Sequence, residues 1–137
     1  MKDYSFAKTA RRFETGGTSN YPGAVGLAAS LKLIHEFGPD RIAEHIYQLS
    51  DQLLAGLDRL PVTIVTPRAR ENRSGIVTFS VGSAAENIKL MQQLLEKKIL
   101  VAVRYTSNVG GVRVSCHFYN SAADIEALLK ELRGVLQ

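Results

Sequence analysis

The sequence predicts an α+β layer, a three- or four-stranded, mainly antiparallel sheet with helices packed on one face. Three observations carry this. Apolar residues recur at spacings of three and four from Val25 to Leu60, the period then drops to two, and the elements run helix, helix, strand, strand, helix, strand, strand, helix.

The first helix follows a polar, glycine-rich opening. In "YPGAVGLAASLKLIHEFGPD" the apolar positions Val25, Ala28, Leu31, Ile34 and Phe37 lie on one face, and Gly38-Pro39 stops the helix. The second places Ile42, Ile46, Leu49, Leu53, Leu57 and Leu60 on an amphipathic stripe that ends before Pro61. "VTIVT" and "GIVTFSV" then read as strands separated by a polar loop from Pro67 to Ser74. "SAAENIKLMQQLLEKK" returns to helical spacing through Ile88, Met91 and Leu95, and "ILVAVR" reads as a strand with Arg104 at its end. "YTSNVGG" reads as a loop leading to a last strand, "VRVS". Ser121 with Asp124 forms a capping box for a final helix through Ile125, Leu128, Leu129, Leu132 and Leu136. Residues 62–137 are expected to form an autonomous layer, with the first two helices packed on it or exposed.

At 137 residues and 45% hydrophobic, the chain can bury one core. No apolar run is long enough to span a bilayer, and the N-terminus lacks the apolar centre of a signal peptide, so a cytoplasmic location and no membrane partner are expected. One cysteine forbids an internal disulfide and a cysteine-based zinc site, and His35, His45 and His117 show no ligand spacing, so no metal is expected. The net charge is +4 and the pI is near 9.4, but the basic residues are dispersed and no cluster is interleaved with stacking aromatics. That pattern argues against a nucleic-acid partner.

Nucleotide-binding loops of the GxxxxGKS and GxGxxG types, the GxSxG elbow and the HExxH helix are all missing from the sequence. Two features suit anion binding. "FETGGTSN" puts small and hydroxyl residues just before a helix, where backbone N–H groups can meet a phosphate, although such a run also serves as an ordinary loop with an N-cap. The other is the pair Arg104 and Arg113 on neighbouring strands, whose plainer reading is surface ion pairing. By the period of two, Val112, Val114, Cys116 and Phe118 share one face, and Arg113, Ser115 and His117 the other. Arg113 follows two glycines in a β-branched segment, which favours a fixed cation awaiting an anion. His117 reads as a hydrogen-bonded structural group and Cys116 as an inert buried thiol.

Taken in order, "ARRFETGGTSN", "GLAASLKLIHEFG", "GIVTFSV", "ILVAVR" and "VRVSCHFYNSAADIEALLKEL" resemble the C-terminal portion of a class V aminotransferase. That family belongs to the fold-type I pyridoxal phosphate (PLP) enzymes and includes cysteine desulfurases and isopenicillin N epimerase-like proteins. The resemblance covers nearly the whole chain. It implies a lead-in segment over residues 1–23 with a phosphate-reaching loop, and a small C-terminal domain over residues 24–137. It further implies that Arg113 grips the α-carboxylate of an amino-acid substrate, that Arg104 lies near the same pocket, and that Gly17 and Thr18 reach the cofactor phosphate held by the neighbouring subunit of a homodimer.

Two departures qualify the resemblance. The family's N-terminal cofactor-binding domain, with its cofactor-anchoring lysine, has no counterpart in these 137 residues, so the chain alone is expected to be inactive and no catalytic residue is assigned to it. The sulfur-accepting cysteine of one desulfurase subgroup falls at Val109 here, so an aminotransferase, lyase or epimerase type is favoured over a desulfurase. The alternative from another class is a stand-alone ferredoxin-like module that binds an amino acid without chemistry.

Overall fold

A computed structural model of the protein describes residues 8–13 and 19–136, Arg11 and Phe13 by their backbone alone. The chain divides into two compact units, residues 1–36 and 37–137. Nearly all of helix α1 (Tyr21–Phe37) belongs to the first unit. Asn20 caps its start by accepting the Gly23 N–H at 3.0 Å. None of its residues is buried, and Val25 is 71% exposed. The apolar stripe legible in the sequence is therefore present but uncovered.

The second unit begins at the Gly38-Pro39 break. Gly38 has φ 86°, a left-handed conformation that glycine adopts without a steric penalty, and Pro39 opens α2 (Pro39–Leu57), where its missing N–H loses no bond. The remaining elements are β1 (Thr63–Ile64), β2 (Ile76–Ser80), α3 (Ala84–Glu96), β3 (Ala102–Thr106), β4 (Val109–Ser115) and α4 (Ala122–Leu136). They form a four-stranded sheet in the order β1-β2-β4-β3, with every neighbouring pair antiparallel. The predicted α+β layer is thus observed, and β4, last in sequence, sits between β2 and β3.

Helices α2, α3 and α4 cover one face of the sheet. Leu49, Leu53, Leu54 and Leu57 of α2 meet Val77 and Phe79 of β2, Val112 and Val114 of β4, Leu90 and Leu94 of α3, and Ile125, Leu128, Leu129 and Leu132 of α4. Each such side chain contributes about 1.5–3 kcal/mol by leaving water. Of the first two helices, α2 is thus packed on the layer formed by residues 62–137 and supplies much of its core. No helix among the described residues is long and apolar enough to cross a membrane.

Both capping boxes are formed. The Ser83 side chain accepts from the Glu86 N–H while Glu86 accepts from the Ser83 N–H, and Ser121 and Asp124 exchange the equivalent bonds. The last hairpin differs from the sequence expectation. Tyr105 and Thr106 continue β3, Val109 to Gly111 already belong to β4, and only Ser107 and Asn108 turn, with φ 49° and 64°. Two successive positive φ values give the twist that joins antiparallel strands through a two-residue turn. The glycines that made the stretch read as a loop serve instead as flat strand positions. A Cβ at Gly110 would collide with the Arg104 carbonyl, and one at Gly111 with that of Phe79. The first strand is also shorter than "VTIVT", because Val65 and Thr66 both donate to the single carbonyl of Thr78, at 2.9 and 3.2 Å, and leave the ladder.

Candidate anion site on the open sheet face

Alternation along β4 sends Val112 and Val114 into the core and Arg113 to the face that no helix of the second unit covers. Arg113 stands between Thr78 on β2 and Ala102 on β3, its cross-strand neighbours. It is half-buried, its Nε is shielded from solvent, and no acceptor meets that Nε. A shielded N–H without an acceptor lacks what water would have supplied, and guanidinium is the side chain best shaped to recover it from a planar anion.

Arg104 lies on the same face. It pairs across the ladder with Gly111, while Arg113 pairs with Ala102, so the two arginines are diagonal neighbours. Arg104 is exposed, and its Nη1 donates to the Val103 carbonyl at 2.9 Å. Neither arginine has a carboxylate partner among the described residues. Arg68, Arg70 and Arg73, by contrast, bond Asp58, Glu44 and Asp51. Those three tie the β1–β2 loop to α2 and to Asp58 just past its end, and Arg70 also lies 4.2 Å from the centre of the Tyr47 ring. The basic loop is neutralised by its own helix and presents no free cationic patch.

Other sequence candidates do not join this site. Cys116 is buried on the core side, and desolvation pushes its thiol pKa up, which suppresses the nucleophilic thiolate. His117 lies beyond the end of β4, where alternation has stopped; its exposed ring stacks on Tyr119 at 4.6 Å, and its backbone N–H donates to Asn120. Phe118 likewise leaves the core face and packs its ring 6.0 Å from that of Phe37. A cavity of about 460 Å³ is lined in part by Lys97, Lys98, Cys116 and Asp124, but not by Arg113. Gly17 and Thr18 lie outside the described residues.

Thr78 and Gly111 are the site neighbours that sequence reasoning missed. Thr78 becomes relevant only through the β2–β4 register. Gly111 could have been found from the Gly-Gly pair ahead of the arginine, had the pair been read as strand. What this face offers chemically is two guanidinium groups without a carboxylate partner among the described residues, over a floor of small residues. It fits a carboxylate, and the described residues on it include no acid, base or nucleophile placed to break a bond.

A family model described as Aminotransferase class-V matches residues 1–128. The chain belongs to the class V aminotransferase family. Its relatives include a probable cysteine desulfurase of Pyrococcus abyssi, 32% identical over 142 residues that cover 98% of this chain and 34% of that protein. Among solved structures, the apo cysteine desulfurase of Thermococcus onnurineus superposes with a TM-score of 0.83 at 28% identity, covering 97% of this chain and 35% of the other. A cystine C–S lyase, solved with its product cysteine persulfide, gives 0.77 at 31% identity over 96% of this chain and 34% of its own. That lyase has also been solved, as a mutant, with glycine covalently linked to its PLP cofactor. This class V chain spans about a third of the length of the relatives it matches.

Proposed function

We propose that this chain is the C-terminal portion of a PLP-dependent enzyme acting on an amino acid, and that Arg113 holds the substrate α-carboxylate. The observation that carries this is the Arg113 side chain itself, which has no carboxylate partner among the described residues and a shielded Nε that lacks an acceptor. Membership of the family and the likeness to PLP enzymes support it. Residues 24–137 correspond to the family's small domain and residues 1–23 to the segment leading into it. In a cytoplasmic homodimer Gly17 and Thr18 would reach the phosphate of the cofactor held by the neighbouring subunit. Bound PLP supplies an electron sink for a bond broken at the substrate Cα.

The role of this chain's residues in that reaction is positional. Two parallel N–H bonds from a planar guanidinium fix both the position and the plane of a carboxylate, which sets the orientation of the attached Cα. The flat floor formed by Gly111, Thr78 and Ala102 lets that carboxylate approach without a clash. Arg104 adds a second positive charge at the same edge. Transamination, elimination and epimerisation are favoured over desulfuration, even though relatives are named as desulfurases. The Ser107-Asn108 turn carries no thiol, and the single cysteine, Cys116, is buried and held in its neutral form.

The division of labour is tested by incubating the 137-residue chain with PLP, reducing with borohydride and mapping the labelled peptides. Scattered, substoichiometric lysine labelling without amino-acid turnover is expected. One stoichiometrically labelled lysine together with turnover would overturn the reading that cofactor chemistry resides in the rest of the enzyme.

A further inference from the structure

We infer that the site takes a dicarboxylic amino acid, with Arg113 on the α-carboxylate and Arg104 on the side-chain carboxylate. This rests on the carboxylate reading of Arg113 and deepens it. The first observation is geometric. The register Ala102–Arg113 and Arg104–Gly111 puts the two arginines on one face as diagonal neighbours, their Cα atoms roughly 7–8 Å apart. Side chains rooted at that spacing are close enough for each guanidinium to take one of two acid groups a few bonds apart.

The second is charge. Two cations stand on one face with no ion-pair partner among the described residues, whereas Arg68, Arg70 and Arg73 each have one. Their mutual repulsion is relieved more fully by a dianion than by a monoanion. The third is space. Gly111 is directly across the ladder from Arg104 and two residues before Arg113 on the same strand. It leaves the floor between the two cations free of side chain, and the collision of any Cβ there with the Phe79 carbonyl keeps it so. Arg104 is also restrained. Its Nη1 bond to the Val103 carbonyl holds the guanidinium near the strand and leaves its other N–H groups to donate.

The test follows the arginine Nε–H resonances of the isotopically labelled chain during titration with succinate and with propionate at low ionic strength, assigning signals with Arg104→Gln and Arg113→Gln. Propionate should move the Arg113 resonance alone. Succinate should move both and bind about ten times more tightly, since each charge-assisted pair adds to the first. In Arg104→Gln the preference should fall to about two, the statistical advantage of two equivalent carboxylates. If propionate moves Arg113 but succinate binds no more than about twice as tightly, the dicarboxylate inference fails while the carboxylate reading stands. If neither anion moves Arg113, both fail.

Discussion

The guanidinium of Arg73 donates to the hydroxyl of Ser50 at 2.8 Å from a side chain that is only 5% exposed, although Arg73 lies in a loop that reads from sequence as solvated. Ser50 itself is fully buried, and Asp51 accepts from the same guanidinium. Arg73→Ala should therefore destabilise the fold by about 1–3 kcal/mol, because it leaves the buried Ser50 hydroxyl short of a partner, while the half-exposed Asp51 end of the pair adds little. Arg68→Ala removes an exposed pair with Asp58 and should change stability by less than about 1 kcal/mol. Urea unfolding of the two variants measures the difference; equal effects would show that the Arg73 pair is worth no more than a surface one.

Asn87 is a second buried polar anchor. Its Oδ1 accepts the Val81 N–H at 3.1 Å, and the two hydrogens of its Nδ2 are shared among Ser80 Oγ, the Ser83 carbonyl and the Tyr105 hydroxyl, each at 2.9 Å. It thereby ties the end of β2 and the start of α3 to β3. Asn87→Leu is expected to cost roughly 2–4 kcal/mol by leaving several of these groups unpaired, and Tyr105→Phe about 1 kcal/mol. Thermal unfolding of both variants checks the ranking; a larger loss for Tyr105→Phe would refute it.

The capping carboxylates predict a pH dependence. Bonds from the Ser83 N–H and hydroxyl hold the Glu86 carboxyl below its usual pKa, and Ser121 does the same for Asp124. A carboxylate whose folded pKa is lowered binds fewer protons than in the unfolded chain. Its stabilisation is therefore complete above the unfolded pKa and is lost as pH falls through the folded one. Unfolding midpoints should drop as pH is lowered below the ordinary carboxylate range. The double variant Glu86→Gln, Asp124→Asn should show a shallower drop, and a slope unchanged by these substitutions would remove the caps as its cause.

Gly111→Ala tests the flat floor beside the arginines. With φ 152° and the Phe79 carbonyl in the path of any Cβ, the substitution must distort either β4 or β2. Roughly 1–3 kcal/mol of backbone strain is expected, along with weaker carboxylate binding. Stability and anion affinity both equal to wild type would show that the strand tolerates a side chain there.

Much of this was legible in the sequence, for reasons that individual residues make plain. Alternation alone placed Val112 and Val114 inside and Arg113 opposite, because a strand side chain can only choose between two faces. The alternation failed at His117 and Phe118, since nothing local announces that β4 stops at Ser115. Gly110 and Gly111 misled the reading because glycine signals both turns and tight strand contacts, and only the cross-strand partner decides which. The ion pairs of Arg68, Arg70 and Arg73 were invisible because their partners, on α2 and just past its end, lie 10 to 26 residues upstream. Thr78 could join the site only once the register was known.

The most direct test of the central claim is kcat/KM for Arg113→Ala in the complete enzyme, measured with the amino-acid substrate and with the matching amine that lacks the carboxylate. Loss of a desolvated, charge-assisted pair should lower kcat/KM for the amino acid by roughly 30-fold to several thousand-fold, equivalent to about 2–5 kcal/mol. Arg113→Lys should recover little, because an ammonium retains the charge without the planar fork. The amine should react about equally poorly with wild type and variant, and the cofactor should remain bound. Equal slowing of both substrates, or of neither, would contradict the account and make Arg113 a structural residue.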